Sequence, residues 1–217
     1  MAEHAPGDAR RSWAMAVDLE RCTGCWACSV ACALHYGVLQ GSFWNPVANL
    51  SSDALDVPTG TYPDLDLLQI PVGCQHCQDP PCLKVCPTGA TYQRQDGIVA
   101  MDYALCNGCR ACLSACPYAA RIWVEAGARR PTAPAGDRPG GVAEKCGFCM
   151  ERVDAGLPPV CVEACAQGAR TFGDLGDPGS PISRLLAERG HFQLLPELGT
   201  NPRIYYLEAR ERGPQGA

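Results

Sequence analysis

The chain has 217 residues, enough for one or two domains. Its formal net charge is −5, Lys and Arg form no stripe, and aromatic residues are sparse at 7%, which excludes a nucleic-acid-binding surface. No apolar run is long enough to cross a membrane, and sixteen cysteines, far above ordinary usage, point to thiol chemistry.

Residues 1–11 are polar and small and are expected to fray. Arg10-Arg11 raises the question of a twin-arginine export signal. The apolar stretch that follows, Trp13–Val17, is too short for the core of a signal peptide. It is read as a strand, and the chain is expected to stay in the cytoplasm or to leave only as cargo of a partner that carries a signal. A first quartet of thiols follows at Cys22, Cys25, Cys28 and Cys32. A 41-residue connection, Ala33–Gly73, leads on. Its end, Asp64–Val72, alternates toward apolar and predicts a strand running into Cys74.

The second quartet is Cys74, Cys77, Cys82 and Cys86, within C-Q-H-C-Q-D-P-P-C-L-K-V-C-P. Asp96-Gly97 between two apolar-rich segments predicts a hairpin pairing Thr91–Arg94 with Ile98–Met101. The third quartet is Cys106, Cys109, Cys112 and Cys116, within C-N-G-C-R-A-C-L-S-A-C-P. Gly127–Gly141 is rich in Gly, Pro and Arg and is read as a flexible surface connection, with partner docking as the other reading. The fourth quartet, Cys146, Cys149, Cys161 and Cys165, is stretched by E-R-V-D-A-G-L-P-P. Ser180 then reads as a helix N-cap, Pro181 as its first turn and Gly190 as its stop, with Ile182, Leu185 and Leu186 inward. Arg203–Glu208 predicts a closing strand paired with Trp13–Asp18, and residues beyond Arg210 are expected to fray.

The central quartets match the C-x2-C-x2-C-x3-C-P run of two-cluster ferredoxins, with two extra residues in the first half. There, three close cysteines hold one [4Fe–4S] cluster and the fourth ligates the other. A tight turn wraps three thiolates around one cube, the next thiolate projects toward the neighbour, and proline stops the helical turn. Two other uses of many cysteines fit less well. A disulfide scaffold belongs to secreted chains, and here the thiols are grouped in quartets without a secretory signal. Structural zinc takes paired knuckles separated by a longer gap, whereas Cys22, Cys25 and Cys28 fall within seven residues.

The chain also repeats. Shifted by 84 positions, Ala16, Asp18, Gly24, Ala27, Ala31 and all four cysteines of Met15–Cys32 coincide with Val99–Cys116. Gly24 and Gly108 are expected to let the backbone turn closely around a cluster. Cys86-Pro-Thr-Gly-Ala resembles Cys165-Ala-Gln-Gly-Ala, so the order of quartets is A, B, A, B. The second and third form a compact module, and the first and fourth are left to form another around it. Grouping first with second is weaker, because the 41-residue connection would then lie inside one small module.

With the quartets in order, the chain resembles the four-cluster iron–sulfur subunits of the complex iron–sulfur molybdoenzymes. These are electron-transfer partners of dimethyl sulfoxide, polysulfide, tetrathionate and arsenate reductases. The likeness runs from Met15 to Leu207 and is most specific at Cys74–Ala90, Asp96–Tyr118, Lys145–Glu151 and L-P-E-L-G-T-N-P-R-I-Y-Y-L (Leu195–Leu207). It implies an α+β fold of two pseudo-symmetric ferredoxin-like modules, with small antiparallel sheets and short helices around four [4Fe–4S] clusters. The outer module would take residues 12–69 and 118–210, the central one residues 70–117. It implies the ligand sets Cys22, Cys25, Cys28 and Cys165; Cys146, Cys149, Cys161 and Cys32; Cys74, Cys77, Cys82 and Cys116; and Cys106, Cys109, Cys112 and Cys86. The implied partners are a molybdopterin-containing catalytic subunit and an integral-membrane quinol-binding subunit, through which this chain would be membrane-associated. The other reading is a soluble polyferredoxin serving a hydrogenase or formate-oxidising complex, against which the long inserts weigh. No Ser-His-Asp set, carboxylate pair or phosphate loop suggests catalysis by the chain itself.

Lys84, Arg110 and Lys145 lie in or beside cluster loops. A cation there favours the reduced cluster, but a solvated surface charge is the expectation. His76 is a candidate hydrogen-bond donor to a cluster or a pH-responsive group, and Trp26 a shield for the first cluster or a contact for a partner.

Overall fold

In W-A-M-A-V-D the residues alternate in size, and the strand they form sorts them to two cores by its period of two. In this computed structural model, which describes residues 7–8, 10–38, 41–52, 56–128 and 131–208, that strand is β1 (Trp13–Asp18). Met15 and Val17 face a core containing Ile70, Ile98, Phe148, Ile204 and Tyr206. Ala14 and Ala16 face a second one with Ile182 and Leu207. The expectations of fraying at residues 1–6 and 9 and after Arg210 lie outside the described residues.

In chain order there follow α1 (Ala27–Tyr36), β2 (Val47–Asn49), β3 (Thr59–Thr61), β4 (Asp64–Asp66), β5 (Gln69–Pro71), α2 (Pro81–Lys84), β6 (Thr91–Gln93), β7 (Val99–Met101) and α3 (Ala111–Ser114). The second half holds β8 (Ile122–Val124), β9 (Val142–Glu144), α4 (Met150–Asp154), α5 (Val160–Glu163), β10 (Arg170–Asp174), α6 (Pro181–Glu188), β11 (His191–Phe192) and β12 (Ile204–Leu207). The fold is therefore mixed, with short helices and small sheets. The largest sheet has the order β10-β1-β12-β11, and each other sheet is a two-stranded ribbon.

The predicted hairpin forms as β6 and β7, turning at Asp96-Gly97. The closing strand is β12, and it lies parallel to β1. Two ladders share one register. In β6–β7, Thr91 faces Met101, Tyr92 faces Ala100 and Gln93 faces Val99. In β10–β1, Arg170 faces Val17, Thr171 faces Ala16 and Phe172 faces Met15. Subtracting 84 from the β7 numbers and adding 79 to the β6 numbers turns one ladder into the other. Around these ladders α1 packs on α5 and α2 packs on α3.

Two expectations need correction. Asp64–Val72 is not one strand: β4 is exposed and pairs with β3, whereas β5 pairs with β2 and buries Ile70. The break at Leu67-Leu68 lets the ribbon stand in solvent while β5 enters the core. The last helix starts as expected, with Ser180 accepting from the Ser183 N–H at 3.2 Å. It ends at Glu188 with Arg189 as its C-cap, so Gly190 falls just past the cap as the expected stop, and Arg189 reaches Asp18 at 2.6 Å and Glu20 at 3.4 Å. Finally, the described part of Gly127–Gly141 is not free. Ala135 packs against Tyr36 and Trp44, and Arg138 lies 4.9 Å over the Trp44 ring and pairs with buried Glu144 at 2.9 Å. A guanidinium that lies flat on an indole while it pairs with a carboxylate anchors its loop.

Candidate cluster sites

Each thiol loop uses left-handed backbone to turn its cysteines inward. Gly24 and Gly108 have φ of 64° and 75°. Trp26 and Arg110, equivalent under the 84-residue shift, have φ of 62° and 61° and start α1 and α3. Such values are uncommon outside glycine and mark positions where the chain accepts strain to aim its groups.

The result is a set of cavities walled by sulfur. Cys22, Cys25, Cys28 and Cys165 line one together with Trp26, Val47, Pro71 and Arg170. Cys74, Cys77, Cys82 and Cys116 line another together with Pro80, Val99, Tyr118, Arg121 and Lys145. All sixteen cysteines are free thiols. Among the described residues, no three His, Cys, Asp or Glu gather closely enough to ligate a single ion. A zinc ion needs its sulfurs at about 2.3 Å from one point, whereas these thiols surround a volume, which suits an iron–sulfur cube.

The thiols reveal their neighbours by mutual repulsion. Burial pushes Cys32 well above the usual thiol range, and Cys146, Cys161 and Cys149 push it further. Burial and then Cys74 take Cys77 up to about 12, with Cys82 and Cys116 adding to it while a Thr200 hydrogen bond opposes. Cys116 is raised by burial, Cys74 and Cys82, and Cys22 by burial, Cys28 and Cys165. Three fourth-position cysteines thus face another quartet than their own. Cys86 is held by the Thr91 N–H at 3.4 Å and the Thr88 hydroxyl at 3.8 Å; these outweigh burial and lower it. Cys106 adds to the burial that raises Cys112, and Cys109 is exposed. Cys146 is raised by burial, Cys161, Cys149 and also Cys74, which brings the second and fourth quartets side by side. Crowded thiols resist losing protons together, and a cationic iron core removes that resistance.

The accessory residues divide. Trp26 lines the first cavity and meets Phe43 edge-on, as a shield does. Lys84 and Arg110 are exposed, Arg110 lying 4.0 Å over the Trp123 ring. Lys145 corrects the surface-charge expectation. It is 2% exposed, lines the Cys74 cavity and donates to the carbonyls of Val99 and Cys146. His76 is fully buried, and burial first, then Lys145, Arg203 and Arg121, hold its pKa well below the usual histidine range. Its Nδ1 accepts from the Val99 N–H at 3.2 Å, its ring stacks on Phe148 with centroids 3.6 Å apart, and its Nε2 is buried without a hydrogen-bond partner among the described residues. The sequence reading passed over Phe148, Arg121 and Arg170. The signal for Arg121 was a lone cation in the apolar stretch Y-A-A-R-I-W-V.

Comparison with known proteins agrees with this chemistry. A 4Fe-4S dicluster domain matches residues 65–175, just over half of the chain, and a second matches residues 21–90. The chain is 47% identical over 207 residues to a Halobacterium salinarum protein assigned as the iron-sulfur subunit of a dimethyl sulfoxide reductase, covering 90% of this chain and 79% of that one. The chain belongs to the iron–sulfur subunits of the molybdoenzyme family. A tetrathionate reductase subunit of Salmonella typhimurium is 39% identical over 207 residues, covering 94% of this chain and 76% of its own. A selenate reductase subunit of Mesobacillus selenatarsenatis is 38% identical over 215 residues, covering 90% and 71%. Members of the family carry electrons for a reductase and leave catalysis to another subunit, and this chain is an electron-transfer subunit with 4Fe-4S clusters. Among the described residues no helix is long and apolar enough to cross a membrane.

Proposed function

We propose that the chain relays electrons one at a time through four [4Fe–4S] clusters, between a molybdopterin-containing catalytic subunit and a membrane quinol-binding subunit. The observation that carries this is the crossing of the thiols: Cys32 lies with Cys146, Cys149 and Cys161, and Cys116 with Cys74, Cys77 and Cys82. Crossed ligation ties two clusters into each module and holds them at a fixed short separation.

The ligand sets are Cys22, Cys25, Cys28 and Cys165; Cys32, Cys146, Cys149 and Cys161; Cys74, Cys77, Cys82 and Cys116; and Cys86, Cys106, Cys109 and Cys112. The last set follows from the repeat, in which Cys86 is the equivalent of Cys165. The two modules are pseudo-symmetric, the central one (residues 70–117) nested in the outer one (residues 12–69 and 118–210). The shared register of β6–β7 and β10–β1 supports this. The relay runs through the sets in the order given, because Cys74 lies beside Cys146 where the modules meet. The clusters supply the redox chemistry. The chain holds them, separates them from water and each other, and sets the charge around them. Its side of the membrane follows from the partners with which it assembles.

The test is anoxic purification from the native host. Expected are co-purification with a molybdenum-containing chain, about sixteen irons per copy from four cubes, and reduction of all four clusters by a quinol analogue. Zinc in the thiol sites, or iron nearer to about twelve, overturns the cluster count. A chain that travels alone and takes no electrons from quinol overturns the relay.

A further inference from the structure

Both cavities contain an arginine that the ligand pattern does not require, and the Cys74 cavity also holds Lys145. Arg170, on β10, lines the cavity of Cys22, Cys25, Cys28 and Cys165. Its Nη2 donates to Cys28 Sγ at 3.4 Å, and its Nη1 lies 3.9 Å from Cys161 Sγ and 3.2 Å from Met15 Sδ. Arg121, just before β8, lines the cavity of Cys74, Cys77, Cys82 and Cys116. It is 6% exposed, and its Nη1 lies 3.2 Å from Met101 Sδ. Its guanidinium also faces the thiols of Cys82 and Cys112. Burial works against both charges, and the facing thiols more than offset it.

Neither arginine forms an ion pair with a carboxylate among the described residues. The Nε and Nη2 of Arg121 are buried with no hydrogen-bond partner among the described residues. A buried charge without a counter-ion costs several kcal/mol, and unmade hydrogen bonds add to that. Both defects vanish if an anion rich in acceptors sits beside the guanidinium. A cube with its thiolate ligands is one.

The repeat does not explain the two positions. Cys28 is equivalent to Cys112 and Cys161 to Cys82, yet Arg170 aligns with Thr91 and Arg121 with Gly37. Two unrelated positions deliver a guanidinium to the same pair of thiols. In each module one thiol of that pair belongs to each of the two clusters.

We propose that Arg170 and Arg121 are internal counter-ions, one per module, each bridging a thiolate of both clusters in its pair and raising the two potentials together. This rests on the ligand sets given above. Reduction adds negative charge, so a fixed cation nearby favours it, and arginine keeps its proton throughout. The closer contact of Arg170 to Cys28 than to Cys161 makes the Cys28 cluster the more responsive of the outer pair.

The experiment is a potentiometric titration followed by electron paramagnetic resonance, on the anoxically purified complex. It compares wild type with Arg170→Met, Arg170→Lys, Arg121→Met and Arg121→Lys. Arg170→Met lowers two midpoints and leaves two, and Arg121→Met lowers the other two. The reduction constant of each affected cluster falls about tenfold, a downward shift of about 59 mV for a one-electron couple. The lysine variants recover at least half of it. Unmoved midpoints at full iron content overturn the inference, as do all four moving alike and lysine behaving as methionine does. If a methionine variant sheds clusters, its lysine counterpart decides: four clusters near wild-type midpoints support the role of charge, and the same loss overturns it. Cys28→Ser and Cys161→Ser test the ligand sets separately. Damage to two different signals upholds the sets, and damage to one and the same signal sinks them, whatever the arginines do.

Discussion

Arg94 is the strongest single tie between the β6–β7 hairpin and the segment carrying the fourth quartet. It sits beside the turn, with 3% of its side chain exposed. Its Nη2 donates to Asp96 at 2.9 Å, and the fork grips Asp154, at the end of α4, at 2.9 and 2.6 Å. Asp96 is 1% exposed and Asp154 is 50% exposed. The two carboxylates therefore weigh differently. Arg94→Met strands Asp96 in the interior as an unpaired charge, which costs about 3–5 kcal/mol. Asp154→Ala removes a half-hydrated partner and leaves Arg94 paired, so solvent screening holds its cost to about 1 kcal/mol or less. Iron–sulfur proteins unfold irreversibly once the cluster is lost, so the usable measure is a rate. Anoxic bleaching of cluster absorbance in urea supplies it. With each 1.36 kcal/mol worth a factor of ten, Arg94→Met accelerates bleaching by about two to four decades if the contact breaks before the barrier. Asp154→Ala accelerates it less than about tenfold. Equal rates for the two variants, or Arg94→Met within a factor of three of wild type, refute the claim that the buried half of this triad carries the energy.

Two further predictions concern the loops. Cys112→Ser and Cys116→Ser, close in sequence, extinguish different cluster signals in low-temperature spectra; loss of the same signal in both contradicts crossed ligation. Gly24→Ala places a methyl group 1.3 Å from Gln69 Oε1, whereas a methyl group at Gly89 meets nothing within 4 Å. Both glycines have positive φ, so both variants carry a backbone cost of about 1–2 kcal/mol, but only Gly24→Ala must also move Gln69 from Asp56 at 3.1 Å. Iron per chain should fall by one cluster in Gly24→Ala and stay at wild type in Gly89→Ala, and equal iron in the two shows that crowding at the loop is immaterial.

Much of this was legible in the sequence, because spacing constrains thiols strongly. Three cysteines within seven residues leave little freedom, and the hairpin at Asp96-Gly97 follows from local turn chemistry. The 84-residue repeat also anticipates that β1 and β7 take equivalent places in their ladders, since equal sequence periods bury equal faces. Contacts between distant segments were not legible. Nothing local to Lys145 tells whether its side chain meets water or the carbonyls of Val99 and Cys146. Arg138 reads as part of a loose loop until Trp44 and Glu144 are placed beneath it. In each case a charged side chain found a partner that only the tertiary fold brings near.

The meeting of the two modules combines both kinds of information. In the second and fourth quartets the residue before the second cysteine is a ring: His76 in C-Q-H-C and Phe148 in C-G-F-C. The two positions are equivalent under a shift of 72, and both take positive φ, 44° and 52°. Histidine tolerates that conformation better than most side chains, but phenylalanine does not, so something beyond the loop compensates at Phe148. The compensation is that they stack on each other at 3.6 Å with planes 16° apart, buried at the point where Cys74 approaches Cys146. The two equivalent positions therefore meet face to face where the second and fourth thiol quartets adjoin. His76 meets the demands of that place as a neutral ring, its Nδ1 fixed by the Val99 N–H. Burial, and then Lys145, Arg203 and Arg121, lower its pKa. The stack fills the space between the two thiol loops with two buried rings.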